Sequence, residues 1–252
     1  MTIAICLKHV PARDWMPRVD ATGRGVDAAD AAWGLSEPDA YALEAALRLR
    51  DAHGGAVVAV TAGPARARAV LREALARGAD RAILVEDDRL GAADASMTAG
   101  ALAAALNGEA VDLVLTGLQS DDQGHAQTGG LLAEHLGLPA ATIVVAIELG
   151  AGEVRVKREL EAGWFQWVTL PLPALLTIQS GIDPLRYATL KGTMAARTKE
   201  VRVVPLDAAA APAQEVVALS PPPARTAARR IEAPPAEAAR ALVDALREAG
   251  AL

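Results

Sequence analysis

The residues best placed to do chemistry are Gln127-Thr128-Gly129-Gly130. They close a polar turn over Asp121 to Gly124, and an apolar run, Leu113-Val114-Leu115, opens the same stretch. Leu131, Leu132, His135 and Leu136 then repeat at helical spacing. A strand, a glycine-bearing polar loop and a helix in that order can hold a phosphate group. The first N–H groups of a helix lack partners inside it, and the helix dipole favours an anion there. Gly129 and Gly130 leave room for close approach, Thr128 can donate a hydroxyl, and no acidic side chain adjoins them. The same residues also suit a plain strand-to-helix turn in which Thr128 only caps the helix. On the loop alone both readings stand. His9, His53, His125 and His135 are scattered, and acid–base catalysis is not expected of them; no catalytic side chain is assigned. Cys6 falls in the first apolar run and reads as a small core residue rather than a nucleophile. As the single cysteine it excludes an internal disulfide, and no Cys/His spacing suits zinc.

The elements that must position this loop follow a regular order. A buried strand is expected over 3–10, then an irregular stretch over 11–37 with a hairpin turn at Thr22-Gly23-Arg24-Gly25. A helix over 36–51 has Ser36 as its cap, Pro38 and Asp39 in its first turn, and Leu43, Ala46, Leu47 and Leu49 as its apolar stripe. Strands over 56–60 and 81–85 flank a helix over 65–77 that stops at Gly78, and a helix over 93–106 leads to the strand at Asp112. Strands alternating with single helices predict a parallel sheet covered on both faces, with its ligand at the carboxyl ends of the strands. Neither GxGxxG nor GxxxxGK[ST] is present there. Beyond residue 140 the pattern turns to a hairpin, 142–149 with 153–158, followed by strands over 164–170 and 174–178. From Asp183 regular structure is expected to end. Residues 205–235 are rich in Pro and Ala, and a last amphipathic helix over 236–249 carries Ala239, Leu242, Val243 and Leu246. The division expected is a core over 1–204 and a tether with a partner-wrapping helix over 205–252.

Composition agrees with this fold class. The 252 residues can bury a sizeable core, and 52% of them are apolar with only 3% aromatic, which favours helices and buried parallel strands over a β-sandwich. A net charge of −6 gives no reason to expect nucleic-acid binding. The opening MTIAICLKHV does not read as a signal peptide, and no run approaches the roughly 18 apolar residues of a membrane span. A cytoplasmic protein is expected.

The segment Val156-Lys157-Arg158-Glu159-Leu160-Glu161-Ala162-Gly163-Trp164-Phe165-Gln166-Trp167-Val168, ending in Pro171-Leu172-Pro173-Ala174-Leu175-Leu176-Thr177, resembles the signature of the β subunit of electron transfer flavoprotein. That signature runs V-x-[KR]-x2-[DE]-G-G, then Gln or Glu, an apolar strand and a proline-led buried strand. Residues 65–81, the loop from Gln119 to Gly129, and Arg186-Tyr187-Ala188-Thr189-Leu190 are also similar to family segments, so the resemblance spans roughly residues 1–205. It implies a Rossmann-like, adenine nucleotide α-hydrolase-like α/β fold with an antiparallel extension and an extended C-terminal arm. It implies a heterodimer whose α subunit holds most of a redox-active FAD, while the β subunit holds AMP or, in electron-bifurcating members, a second FAD. Electrons would come from a flavin dehydrogenase such as an acyl-CoA dehydrogenase and leave towards a quinone-reducing acceptor of the respiratory chain.

Carried over by position, the nucleotide would meet Cys6, Ser36, Asp39, Ala62, Gly117, Gln119, Asp122, Gly124, His125, Gln127, Thr128 and Gly129. Leu190 would anchor a dehydrogenase from a projecting loop bent at Gly192, with Tyr187 beside it, and Glu159 would face the mobile FAD domain. This sequence departs from the family in places. Ala162 replaces the first signature glycine, and the basic run after the recognition segment is thinned to Ala195-Ala196-Arg197-Thr198-Lys199-Glu200. Gln127-Thr128-Gly129 matches the AMP type, whereas Asp39 resembles the bifurcating branch. The competing class is a stand-alone adenine-nucleotide sensor or ATPase of the same sheet type.

Overall fold

The computed structural model describes residues 1–207, 210–223, 228 and 230–252, and parts of the Pro/Ala-rich tether (208–209, 224–227 and 229) lie outside the described residues. In chain order the strands and helices are β1 (Thr2–Cys6), β2 (His9–Pro11), β3 (Arg18–Val19), β4 (Val26–Asp27), β5 (Trp33–Leu35), α1 (Glu37–His53), β6 (Ala56–Gly63), α2 (Arg68–Arg77), β7 (Arg81–Glu86), α3 (Ala95–Leu106) and β8 (Leu113–Gly117). They continue with α4 (Thr128–Leu136), β9 (Ala140–Leu149), β10 (Glu153–Glu159), β11 (Phe165–Pro171), β12 (Ala174–Ile178), α5 (Leu190–Ala196), β13 (Val201–Pro205) and α6 (Pro235–Glu248).

Nine strands make one sheet in the order β11-β10-β9-β12-β8-β1-β6-β7-β13. Only β10 runs against the rest, pairing antiparallel with both β9 and β11. The expected parallel α/β sheet with an antiparallel extension is therefore present. Because side chains alternate along a strand, β1 serves two cores at once. Ile3 and Ile5 pack with α1 and α2 on one face, while Ala4 and Cys6 pack with α3 and α4 on the other. Burial on both faces is what the near-continuous apolar strands required.

Four expectations are corrected. The strand expected over 3–10 breaks after Cys6, and β2 instead pairs antiparallel with β5 in a separate ribbon. Ser36 sits at the N-cap of α1 but makes no capping bond with its side chain. Its hydroxyl accepts the Asp121 N–H at 3.2 Å, and the Asp121 carboxylate accepts the Glu37 N–H at 2.7 Å. The cap thus comes from a distant loop. Regular structure does not end at Asp183: Thr189 caps α5 by accepting the Gly192 N–H at 3.0 Å, and β13 pairs with β7 at the sheet edge. Leu190 is consequently the first residue of a helix, not part of a loop, and Gly192 is no bend. A Cβ on Gly192 would lie 2.3 Å from the Ala76 carbonyl, so glycine here permits α5 to press onto α2.

The chain divides into two compact units, Met1–Leu219 and Ser220–Leu252. The second contains α6, which starts at the expected place and buries none of its residues. Among the described residues no helix is long and apolar enough to cross a membrane.

Candidate functional site

β1 lies between β6 and β8, with α1 leaving β1 towards one face of the sheet and α4 following β8 on the other. Open parallel sheets form a crevice at such a reversal, at the carboxyl ends of the strands. Three groups meet there. Asp39, from the first turn of α1, accepts the Lys8 N–H at 2.7 Å and the Gly117 N–H at 3.0 Å, one on each carboxylate oxygen. Gly117 has to be glycine, since a Cβ would stand 2.5 Å from the Asp39 carboxylate. Burial pushes the Asp39 pKa up to about 7, against the pull of those two N–H groups and of the Lys8 ammonium.

Lys8 then reaches across the rim. Its ammonium donates to Asp122 at 2.7 Å, to Gln123 at 2.9 Å and to the Ser120 hydroxyl at 3.3 Å, which fixes the β8–α4 loop. Burial opposes charge on Asp122, yet the ammonium and the hydrogen bonds outweigh it and hold this carboxyl below its ordinary value. Arg13 closes the outer side between Asp121 and Glu37.

The far end of the loop is built differently. Gly124 and Ala126 both take positive φ, 63° and 54°. Gln127 stands at the N-cap of α4 with no capping bond from its side chain, and the first turn of α4 holds no acidic residue. The opening N–H groups of this helix are therefore available to an anion. Gly129 is fixed by packing: a Cβ would meet Thr177 at 2.5 Å and Thr116 at 2.9 Å. Beside this end lies a cavity of about 550 Å³ whose lining includes Ser96, Gln127, Gly130, Leu131, Ala213 and Gln214. Its size is in the range of small-molecule sites.

The expected nucleotide contacts converge on this rim, with different exposures. Cys6 is buried at the end of β1, and burial, with help from Asp39, pushes its thiol well above the ordinary range. Only its backbone is suited to a ligand. Ser36 and Asp39 are buried and engaged with other parts of the protein, Ala62 is half-buried at the end of β6, and Gln119, Asp122, Gly124, His125 and Gln127 are exposed. Glu159 reaches the same rim, since its carboxylate accepts from Gln179 just beyond β12 at 3.1 Å. Tyr187 and Leu190 do not: they are 87% and 80% exposed, and their segment sits beside the C-terminal turn of α2. Arg186 mounts that segment by forking onto buried Glu44 (2.9 and 3.2 Å from Nε) and reaching Asp51 at 2.9 Å. Lys8, Arg13 and Glu44 had no assigned site role in the sequence reading, and Asp121 and Arg186 entered it only as members of the nucleotide loop and of the recognition segment. Apart from the Glu44–Arg48 pair within α1, their contacts join segments far apart in the chain, which no local pattern encodes. His9, at the start of β2, packs at a tilt against Trp33 with ring centroids 5.4 Å apart, and burial, with Arg66 nearby, lowers its pKa.

A family model described as "Electron transfer flavoprotein domain" matches residues 25–209. The chain is 37% identical over 210 residues to the electron transfer flavoprotein subunit beta of Methylophilus methylotrophus, covering 82% of this chain and 80% of that one. It is 34% identical over 247 residues to the subunit of the same name from Mycobacterium bovis, covering 91% of both chains. The Bacillus subtilis subunit is 33% identical over 224 residues, covering 86% and 87%.

Proposed function

The chain belongs to the electron transfer flavoprotein family as a β subunit, and from that premise we propose that it pairs with an α subunit and binds AMP at the crevice beside β1 and β8. The α subunit holds most of the FAD, which supplies the redox chemistry when bound; this chain supplies a scaffold and a surface rather than catalytic side chains. Electrons arrive from a flavin dehydrogenase, an acyl-CoA dehydrogenase being one candidate type, and pass to a quinone-reducing acceptor. The complex works in the cytoplasm.

The observation that carries the AMP reading is the start of α4. Its first N–H groups have no side-chain cap, no carboxylate stands in its first turn, and its first residue, Thr128, carries a hydroxyl. A terminal phosphate suits such a place. Asp39, the residue that resembles the bifurcating branch, has both oxygens taken by backbone N–H groups, so it favours neither nucleotide over the other. To test the reading, the purified heterodimer is denatured and its released nucleotides counted. One FAD and one AMP are expected; two FAD with no AMP would refute the assignment.

Residues Tyr187 and Leu190 serve as the docking point for the donor. Leu190→Ala should weaken the dehydrogenase complex by about thirtyfold or more, as expected for a buried anchor worth about 2 kcal/mol, while leaving flavin content unchanged. Unchanged donor affinity would place the docking surface elsewhere.

A further inference from the structure

The cavity beside α4 has one wall that comes from far along the chain. Asp94 caps α3, one carboxylate oxygen accepting the Met97 N–H at 2.8 Å. Its other oxygen accepts two more N–H groups, from Ala213 at 2.7 Å and Gln214 at 2.9 Å. These two residues belong to an extended stretch with no helix or strand of its own, 210–219. The stretch is tied down on either side of Asp94 as well. Arg89 donates to the Ala210 carbonyl at 3.3 Å, Arg24 pairs with Glu215 at 2.9 Å, and the Leu219 N–H meets the Gly23 carbonyl at 2.7 Å. Apart from Ala210, which packs against the core, this segment is held by such tethers, and Asp94 supplies the one that lies on the cavity wall.

We propose that the nucleotide bound in the crevice extends past the start of α4 into this cavity, which shares Gln127 and Gly130 with that helix start, that residues 210–219 form a strap over it fastened by Asp94, and that the nucleotide leaves only when this fastening opens. The inference rests on the adenine-nucleotide reading given above and adds to it the element that controls exchange. The chemistry is compatible with an anion. Three N–H donors, one of them at a helix N-terminus, spread the charge of Asp94 away from the cavity. Burial alone would raise the pKa of this carboxyl, but its hydrogen bonds prevail and hold it below the ordinary value, so it stays an acceptor at neutral pH. Bonds from a charged acceptor to backbone N–H groups are among the stronger hydrogen bonds, so the fastening can set a rate.

Two substitutions separate the strap from the helix cap. Asp94→Asn keeps a side-chain oxygen for the Met97 N–H, and Asn caps helices as well as Asp does. Its amide group, however, presents a donor to the Ala213 and Gln214 donors. Gln214→Pro removes one N–H of the strap and does not touch α3 at all. The heterodimer is loaded with unlabelled AMP, and replacement by excess isotope-labelled AMP is followed in time. Both variants should exchange the nucleotide roughly tenfold faster than wild type, with flavin content unchanged and Asp94→Asn melting close to wild type. If Asp94→Asn melts well below wild type, Gln214→Pro decides. Wild-type exchange rates in Gln214→Pro, in a protein that does carry AMP, would overturn the strap. A wild-type complex without any adenine nucleotide would overturn the site reading, and the strap's role with it.

Discussion

Ala162 has φ +56° and ψ +27°, the left-handed region, at the place where the family signature has a glycine. An L side chain there is strained, whereas glycine adopts it freely. Ala162→Gly should therefore raise stability by about 0.5–1 kcal/mol, seen as a higher Tm. Asp39 gives a pH-dependent effect of definite sign. Its folded pKa is raised to about 7 from the ordinary carboxylate value of 3.8, so the folded state binds the proton more tightly than the unfolded state. Stability drawn from this group is present at low pH and is lost as pH rises between those two values. The stability of wild type relative to Asp39→Asn should accordingly fall from pH 4 to 7 and level off above it, in denaturant titrations at each pH. A flat difference would mean that Asp39 ionises normally. At this scale the sequence was legible where chemistry is local. Gln127-Thr128-Gly129 announced a helix start because the residues that make it are contiguous. Asp94 was missed although an Asp before an apolar helix is a capping signal; its second task, holding Ala213 and Gln214, has no signature in sequence at all.

Among the elements, α5 is the instructive one. Seven residues with a glycine in third place give little helical signal, and short helices form mainly through tertiary packing. What makes α5 is Thr189 at its start and the contact of Gly192 with the Ala76 carbonyl. Gly192→Ala should push α5 off α2 and cost more than about 1 kcal/mol, while Leu190→Ala on the exposed side should leave the Tm almost unchanged. The opposite ranking would show that Leu190, not Gly192, holds the element. The clasp that carries this region belongs to α1. Glu44 is buried, and although burial raises its pKa, the bonds from Arg186 and Arg48 reverse this and keep it charged. Arg186→Ala strands part of that charge and should cost about 3 kcal/mol in denaturant unfolding, with faster amide exchange over residues 183–189. The helices α1 and α2 themselves were legible, because Pro38 and Asp39 mark the start of one, Gly78 marks the end of the other, and Ala, Leu and Arg between such signals favour helix. β13 was not: five residues with exposed Arg202 and Val203 look like a tail until β7 supplies a partner.

At the scale of the molecule, the parallel sheet could be read from alternating strands and helices, but its strand order could not. Sequential strands usually pair, and β8 and β9 do not. The C-terminal unit, Ser220–Leu252, has its own helix with no buried residue. Deleting it should leave the melting of the Met1–Leu219 unit unchanged and weaken association with the α subunit; an unchanged dissociation constant would count against its role as a partner-binding arm. The insertion of β12 between β8 and β9 also fixes a timetable for biosynthesis. The ribosome delivers β9, β10 and β11 first, and the edge of β8 stays bare until Ala174–Ile178 emerges. On the other flank β7 waits still longer, for Val201–Pro205. Uncovered edges recruit foreign strands, and pairings between remote segments are slow. The nascent chain thus carries both open seams while the segment between β8 and β12 is being made, and that interval is where holdase chaperones are expected to bind it.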